Sequence, residues 1–139
     1  MRITLFSVEE ANRLLVEIRP QIERLCAQKR EFDKLEMRIG LLGVATQGAD
    51  PGNPDARELV ALGEKRQRLG GRIARELGEL QELGVVMKDL DRGLCDFYAL
   101  RGDRLVFLCW QLSETEVAHW HALDSGFTGR RPLKGAEID

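Results

Sequence analysis

The sequence lacks the features that mark several common classes of protein. Its three cysteines form no CxxC pair and no even-numbered set, so they predict reduced thiols and no disulfide framework. No stretch approaches the roughly 18 consecutive apolar residues that a membrane span needs. The first residues also lack the basic-then-apolar layout of a secretory signal. We therefore expect a soluble, cytoplasmic protein with no membrane partner.

The chain has little excess charge of either sign. Its 139 residues carry a formal net charge of −2, with 43% hydrophobic and 32% charged residues, which is typical of one globular domain spanning 1–139. One basic stripe (Lys65, Arg68, Arg72 and Arg75) has helical spacing. We interpret it as interhelical salt bridges or a solvated face in preference to a nucleic-acid site, because four charges make a modest patch.

Aromatic residues and histidines are almost absent from the first 83 residues, which are aliphatic and charged with a helical period. Ser7 and Glu10 have the spacing of a capping box. A heptad of apolar residues then continues in phase across Pro20, which predicts one helix kinked at that proline. The members of this heptad are Ala11, Ile18, Leu25, Phe32 and Ile39.

Residues 43–54 are rich in glycine and proline and predict a loop. A second helix is predicted over about 56–83, so that residues 8–83 form an antiparallel helical hairpin. Glycines 63, 70, 71 and 78 lie within that helix, and we interpret them as a stripe that lets another backbone approach closely. Because a hairpin leaves apolar surface uncovered, we expect a homodimer that forms a four-helix bundle.

The pattern changes to short strands after Gly84. Residues 85–90, 94–100 and 104–112 predict strands, with a turn at 101–103. Residues 114–121 fit either a further strand or one helical turn. Residues 126–132 predict a loop, and 133–139 a frayed tail. The predicted fold class is therefore α+β: a long two-helix hairpin followed by a small antiparallel β unit over 84–132.

Several short motifs follow one another in this C-terminal block. They are K-D-L-D-R-G-L-C-D-F at 88–97, Cys109-Trp110, Glu114, Trp120-His121 and G-F-T-G-R-R-P at 126–132. As a set they resemble a bacterial domain-of-unknown-function family, numbered twenty-two zero three, and the resemblance covers nearly the whole chain. It implies no activity, because the family is named for lacking one. Ser113 stands where we expect a glycine, and His119 departs from the pattern, in which only the histidine after the tryptophan fits.

His119 and His121 form an H-x-H pair. In a strand their side chains project from the same face, which is how two imidazoles can share zinc or a similar divalent metal. The hypothetical metal set is His119, His121 and Asp124, with Glu116, Asp96 and Cys109 as further ligands. The alternative is that one histidine packs against tryptophan and the other faces solvent.

Two other groups of residues carry a weaker suggestion of chemistry. Lys88, Asp89, Asp91 and Asp96 gather four ionisable groups within nine residues, so they could supply an acid and a base; turn formation explains them more simply. Cys109 precedes Trp110 in a strand and is interpreted as a packed thiol, since a nucleophile needs a low pKa and access.

No complete catalytic set is present, so the sequence favours a non-enzymatic, homodimeric interaction or structural module. Its candidate contact surface for an unidentified protein partner is Trp120, His121, Asp124 and Arg130. The competing hypothesis is a small metal-dependent or acid–base enzyme centred on His121 and Asp96.

Overall fold

Two long helices form the first part of the protein. A computed structural model describes residues 3–134, 136 and 138. Helix α1 spans Val8–Ala45 and continues through Pro20, which is exposed. The predicted capping box is confirmed: the Ser7 hydroxyl accepts from the Glu10 N–H at 3.1 Å, and the Ser7 N–H donates to the Glu10 carboxylate at 3.0 Å.

Helix α2 spans Pro54–Glu82 and begins with Asn53 as its N-cap and Pro54 in its first turn. Both helices extend into the predicted loop, because α1 continues to Ala45 and α2 starts at Pro54. Four salt bridges between described residues join the helices as an antiparallel pair: Arg38–Glu58 at 2.9 Å, Arg66–Glu36 at 2.9 Å, Lys65–Glu31 at 3.5 Å and Arg24–Glu76 at 3.7 Å.

A five-stranded antiparallel sheet follows, which confirms the predicted α+β class. Its strands are hydrogen-bonded in chain order from β1 to β5. The undecided segment 114–121 is irregular until its end, where β4 begins. The loop prediction for 126–132 is wrong in detail, because a 3-10 turn at Phe127–Gly129 leads into a short strand that pairs with β4. The strands are β1 Val85–Asp89, β2 Leu94–Arg101, β3 Arg104–Trp110, β4 His119–Ala122 and β5 Arg131–Pro132.

One face of the sheet packs on the first part of α1 and the last part of α2, which together form the half of the hairpin next to the sheet. This inner face contributes Phe97, Leu108 and Trp110, all fully buried against helix residues such as Ile22 and Leu80. Polar contacts fix the same docking: the Val117 N–H donates to Asn12 Oδ1 at 2.8 Å, and the Arg19 guanidinium lies 5.6 Å from the centre of the Trp110 ring.

The chain end also contacts the core. Leu133, Ala136 and Ile138 pack against it, and the Leu133 N–H donates to the Ala118 carbonyl at 2.9 Å. The sequence predicts fraying over 133–139; of these residues, 135, 137 and 139 lie outside the described part.

The other half of the hairpin, called the distal half, is formed by the end of α1 and the start of α2 and extends past the sheet. From Glu36 to the end of α1, the salt bridges of this helix between described residues all go to α2. Among the described residues, the predicted glycine stripe has no close backbone neighbour. A Cβ at Gly70 would meet only the Phe32 ring, at 3.5 Å, and Cβ atoms at positions 63, 71 and 78 would meet nothing within 4 Å. Neither helix, within the residues described, is long and apolar enough to cross a membrane.

Candidate functional site

The sheet face turned away from the helices contains the buried polar residues Asp96 and His121. Alternation along β2, β3 and β4 directs a second set of side chains to this outer face. Five of them are buried, although they lie outside the hydrophobic core that the sheet forms with the helices. These five residues are Leu94, Asp96, Phe107, Cys109 and His121.

Three neighbouring strands bring a carboxylate, a thiol and an imidazole together on that face. Asp96 on β2 is directly opposite Cys109 on β3, and His121 on β4 lies two residues from His119, which is the partner of Cys109. His121 Nε2 lies 3.1 Å from Asp96 Oδ2. A nitrogen, an oxygen and the sulfur of these residues all lie within 4.8 Å of one another. We call Asp96, Cys109 and His121 the outer-face triad.

The hydrogen bonds of His121 fix its tautomer. Its Nδ1 lies 2.7 Å from the Ala122 carbonyl oxygen. A carbonyl oxygen can only accept, so Nδ1 carries a proton. The contact between Nε2 and Asp96 Oδ2 then contains one further proton, held either by the imidazole or by the carboxyl, because two bare lone pairs would repel. Within the described chain the second carboxyl oxygen, Asp96 Oδ1, is buried and has no hydrogen-bond partner.

Burial favours the neutral forms of Asp96 and Cys109. It raises the pKa of the Asp96 carboxyl above its ordinary value, although the adjacent His121 opposes this shift. Burial also raises the pKa of the Cys109 thiol to about 12. The sulfur is therefore protonated near neutral pH, and a protonated thiol is a poor nucleophile.

Aromatic and cationic side chains lie on the outer face next to the triad. The Phe107 ring lies 5.3 Å from the His121 ring, and Lys88 Nζ lies 4.7 Å from the centre of Phe107. The guanidinium groups of Arg92 and Arg130 lie 4.7 and 4.8 Å from the centre of the Phe127 ring. Only 2% of Asp96 and 3% of His121 are exposed.

A second polar cluster lies beside the triad and contains Glu114, His119 and Arg130. Arg130 Nη2 donates to Glu114 Oε1 at 2.6 Å, and Glu114 Oε2 lies 3.3 Å from His119 Nδ1. Glu114 Oε1 also accepts from the Gln111 N–H, while the Glu114 carbonyl accepts from Trp110 Nε1 at 3.0 Å. Glu114 thus anchors the segment between β3 and β4, a role that its place among the family motifs alone does not indicate.

The structure separates the two histidines of the H-x-H pair. Both are on β4 and share a face, but His121 lies with Asp96 and Cys109 whereas His119 lies with Glu114 and Arg130. Asp124 is exposed beyond the end of β4 and is not part of the triad. The hypothetical set of His119, His121 and Asp124 therefore has no common centre in the geometry, while two of its suggested extra ligands, Asp96 and Cys109, do meet His121.

The candidate partner-binding residues differ in accessibility. Trp120 is 9% exposed, and it lies between Arg101 and Arg131, whose guanidinium groups are 5.0 and 5.7 Å from its ring centre. His121 is buried, and only 12% of the Arg130 side chain is exposed. Asp124, in contrast, is exposed. It borders a pocket of about 610 Å³ that is also lined by Trp120, Arg101, Arg104 and Arg131.

The acidic group at 88–96 is dispersed, as turn formation predicts. The Asp89 carboxylate accepts from the N–H groups of Asp91 and Arg92, at 2.8 and 3.3 Å. Asp91 is 3.4 Å from Lys29 on α1, and of the three carboxylates Asp96 alone is in the outer-face triad, whereas Lys88 lies over the ring of Phe107 on the same face. Of the basic stripe on α2, Lys65 forms the interhelical salt bridge described above.

Comparison with known proteins gives a family and nothing further. A family model described as an uncharacterized conserved protein (DUF2203) matches residues 4–133. No curated protein and no solved structure matches the chain significantly.

Proposed function

Because this chain belongs to the DUF2203 family, whose description states no activity, we propose its function from its geometry: a homodimeric, cytoplasmic interaction module without catalysis of its own. The observation that carries this proposal is an apolar stripe on the distal half of α1. Met37, Leu41 and Val44 are 71%, 62% and 71% exposed. Their spacing of four and three residues aligns them on one helix face, opposite the face that contacts α2.

The stripe has the size expected of a reversible self-association surface. Burying an exposed Val, Leu or Met side chain contributes about 1.5–3 kcal/mol. A two-fold dimer buries the stripe of each protomer, so six side chains give roughly 9–18 kcal/mol before costs. Association itself costs about 4–15 kcal/mol. The balance supports a dimer whose population depends on concentration.

The triad supports a structural role better than a catalytic one. A general acid or base must reach the substrate atom that exchanges the proton. Asp96 and His121 are almost fully buried, and the two main pockets described are lined by other residues. The second candidate, an acid–base enzyme, is favoured by the 3.1 Å carboxylate–imidazole contact, and it requires a movement that exposes Asp96 and His121 to a substrate.

The module also has a candidate contact surface for a different, unidentified protein. Its accessible part is Asp124 with the arginine-lined pocket beside it. Three arginines and a tryptophan favour an acidic, partly aromatic segment, since guanidinium groups pair with carboxylates and stack on rings. The partner contact is thus separate from the self-association stripe.

Sedimentation velocity across a concentration series tests the dimer. We expect wild type to sediment as a dimer at high concentration and Leu41→Glu to remain monomeric with unchanged helicity. Val60→Glu is the matched control, since Val60 is 64% exposed on α2, away from the stripe. A wild-type protein that stays monomeric throughout, or a Leu41→Glu variant that still dimerises, contradicts the proposal.

Affinity capture tests the second surface. Arg104→Glu, which reverses one positive charge of the pocket, should lower capture of an acidic cellular partner without changing the sedimentation of the module. Equal capture by Arg104→Glu and wild type removes this assignment.

A further inference from the structure

The outer-face triad has the arrangement of a metal site that joins three strands. Each of its members comes from a different strand, and the three strands are neighbours at the centre of the sheet. We propose that Asp96, Cys109 and His121 bind one divalent cation of the zinc class as a structural clamp across β2, β3 and β4. This inference goes beyond the proposed self-association and does not depend on it.

The donor set selects the class of metal. It combines a thiol sulfur, an imidazole nitrogen and a carboxylate oxygen, which together suit Zn²⁺ and Co²⁺. Magnesium and calcium prefer oxygen ligands only. With the thiol and carboxyl deprotonated, the two negative charges offset the charge of the cation. The nearby Arg130 is already paired with Glu114 at 2.6 Å, so its charge is balanced locally.

The orientation of His121 is that of a metal-binding histidine. Zinc-bound histidines usually donate their other ring N–H to a carboxylate or a backbone carbonyl, which fixes the tautomer. The Nδ1 of His121 makes this bond to the Ala122 carbonyl at 2.7 Å, and Nε2 is directed at Asp96. His119 is not part of this group: its Nδ1 lies 3.3 Å from Glu114 and 3.2 Å from Arg130, and among the described residues the ligand atoms within 4.8 Å of one another belong to Asp96, Cys109 and His121.

The distances leave room for an ion. Zinc lies about 2.0–2.3 Å from its ligand atoms, which places tetrahedral ligand atoms roughly 3–4 Å apart. The triad atoms lie within 4.8 Å of one another, so small side-chain rotations bring them to that separation. Asp96 Oδ1, buried and without a hydrogen-bond partner in the described chain, offers a further oxygen for the fourth position.

Metal titration of untagged protein tests the proposal. The protein is treated with chelator and refolded with Zn²⁺ or Co²⁺, so that burial of the site does not limit access. We expect one equivalent of bound zinc by elemental analysis, a thiolate-to-cobalt charge-transfer band in the absorption spectrum, and a rise in Tm with zinc. Cys109→Ala and His121→Gln should each weaken binding at least ten-fold.

Two matched controls lie on the same strands. Cys95→Ala removes a buried thiol next to Asp96 that faces the helices, and His119→Gln removes the other histidine of β4. Both should bind metal like wild type. Folded wild type without bound zinc, a cobalt complex without a thiolate band, or equal loss of binding in the controls overturns the site. Because the cobalt spectrum is measured on wild type, the test holds even where a triad variant fails to fold.

Discussion

Gly93, in the turn between β1 and β2, and Gly102, in the turn between β2 and β3, allow the backbone cost of a substitution to be separated from its steric cost. Gly93 and Gly102 both have φ of +65°, but their surroundings differ. A Cβ on Gly93 would lie 2.8 Å from Leu112 Cβ, 3.2 Å from the Cys26 sulfur and 3.3 Å from Ile22 Cγ2. A Cβ on Gly102 would meet nothing within 4 Å.

Alanine at either position incurs the left-handed backbone penalty of about 1–2 kcal/mol. At Gly93 it also collides with Leu112 and with α1, and such overpacking costs about 1–3 kcal/mol more. We therefore expect Gly102→Ala to lower the free energy of unfolding by about 1–2 kcal/mol and Gly93→Ala by about 2–5 kcal/mol. The second value corresponds to a Tm decrease of roughly 7–17 °C.

Urea unfolding of both variants, followed by tryptophan fluorescence and far-UV circular dichroism, measures the difference. The m-value should stay constant, since the change is local to the folded state. If the two alanine variants lose the same stability, the turn does not press on α1 as described. The docking of the sheet onto the hairpin would then need another basis.

Further predictions concern the site and the helix start. In metal-free protein, Asp96→Asn should lower the free energy of unfolding by under about 1 kcal/mol, because an amide N–H can donate to His121 Nε2 as the protonated acid does. Asp96→Ala leaves that nitrogen unpaired and should lower the free energy of unfolding by about 1–3 kcal/mol. Equal losses of stability in chemical denaturation would instead place the proton on His121. A thiol reagent should leave native Cys109 unmodified near neutral pH, since its raised pKa keeps it protonated, and should modify it after unfolding; rapid native labelling contradicts its burial. Ser7→Ala should cost about 1 kcal/mol by loss of the cap and Ser7→Asp much less, as thermal unfolding can show.

The helices and the first three strands could be predicted because their signals are local. The capping box at Ser7 and Glu10 depends on residues three apart, and the strands β1 to β3 are continuous apolar or alternating runs. The connector is predicted too long because glycine and proline locally favour a loop, whereas Gly43, Val44 and Ala45 continue α1 and Pro54 takes a place in the first turn of α2. Strands β4 and β5 have four and two residues, and such short segments form through pairing with distant neighbours.

The site could be predicted only in part for the same reason. Alternation correctly places His119 and His121 on one face of β4. It does not reveal their partners, because these depend on the register of β2, β3 and β4. Asp96 lies 25 residues before His121, and the sequence offers it only as one of several acidic candidates, because no local pattern fixes that contact. The glycines of α2 illustrate a related limit, since a small residue permits close packing without supplying the neighbour.

The chain-order arrangement of the strands has a consequence for how the molecule folds. Only two residues separate β2 from β3, so the loop-closure entropy of sheet formation is small, as it is for the helical hairpin. Bringing the two halves together joins residues as far apart as Asn12 and Val117, 105 positions along the chain. We expect this late docking step, with its high contact order, to limit the refolding rate.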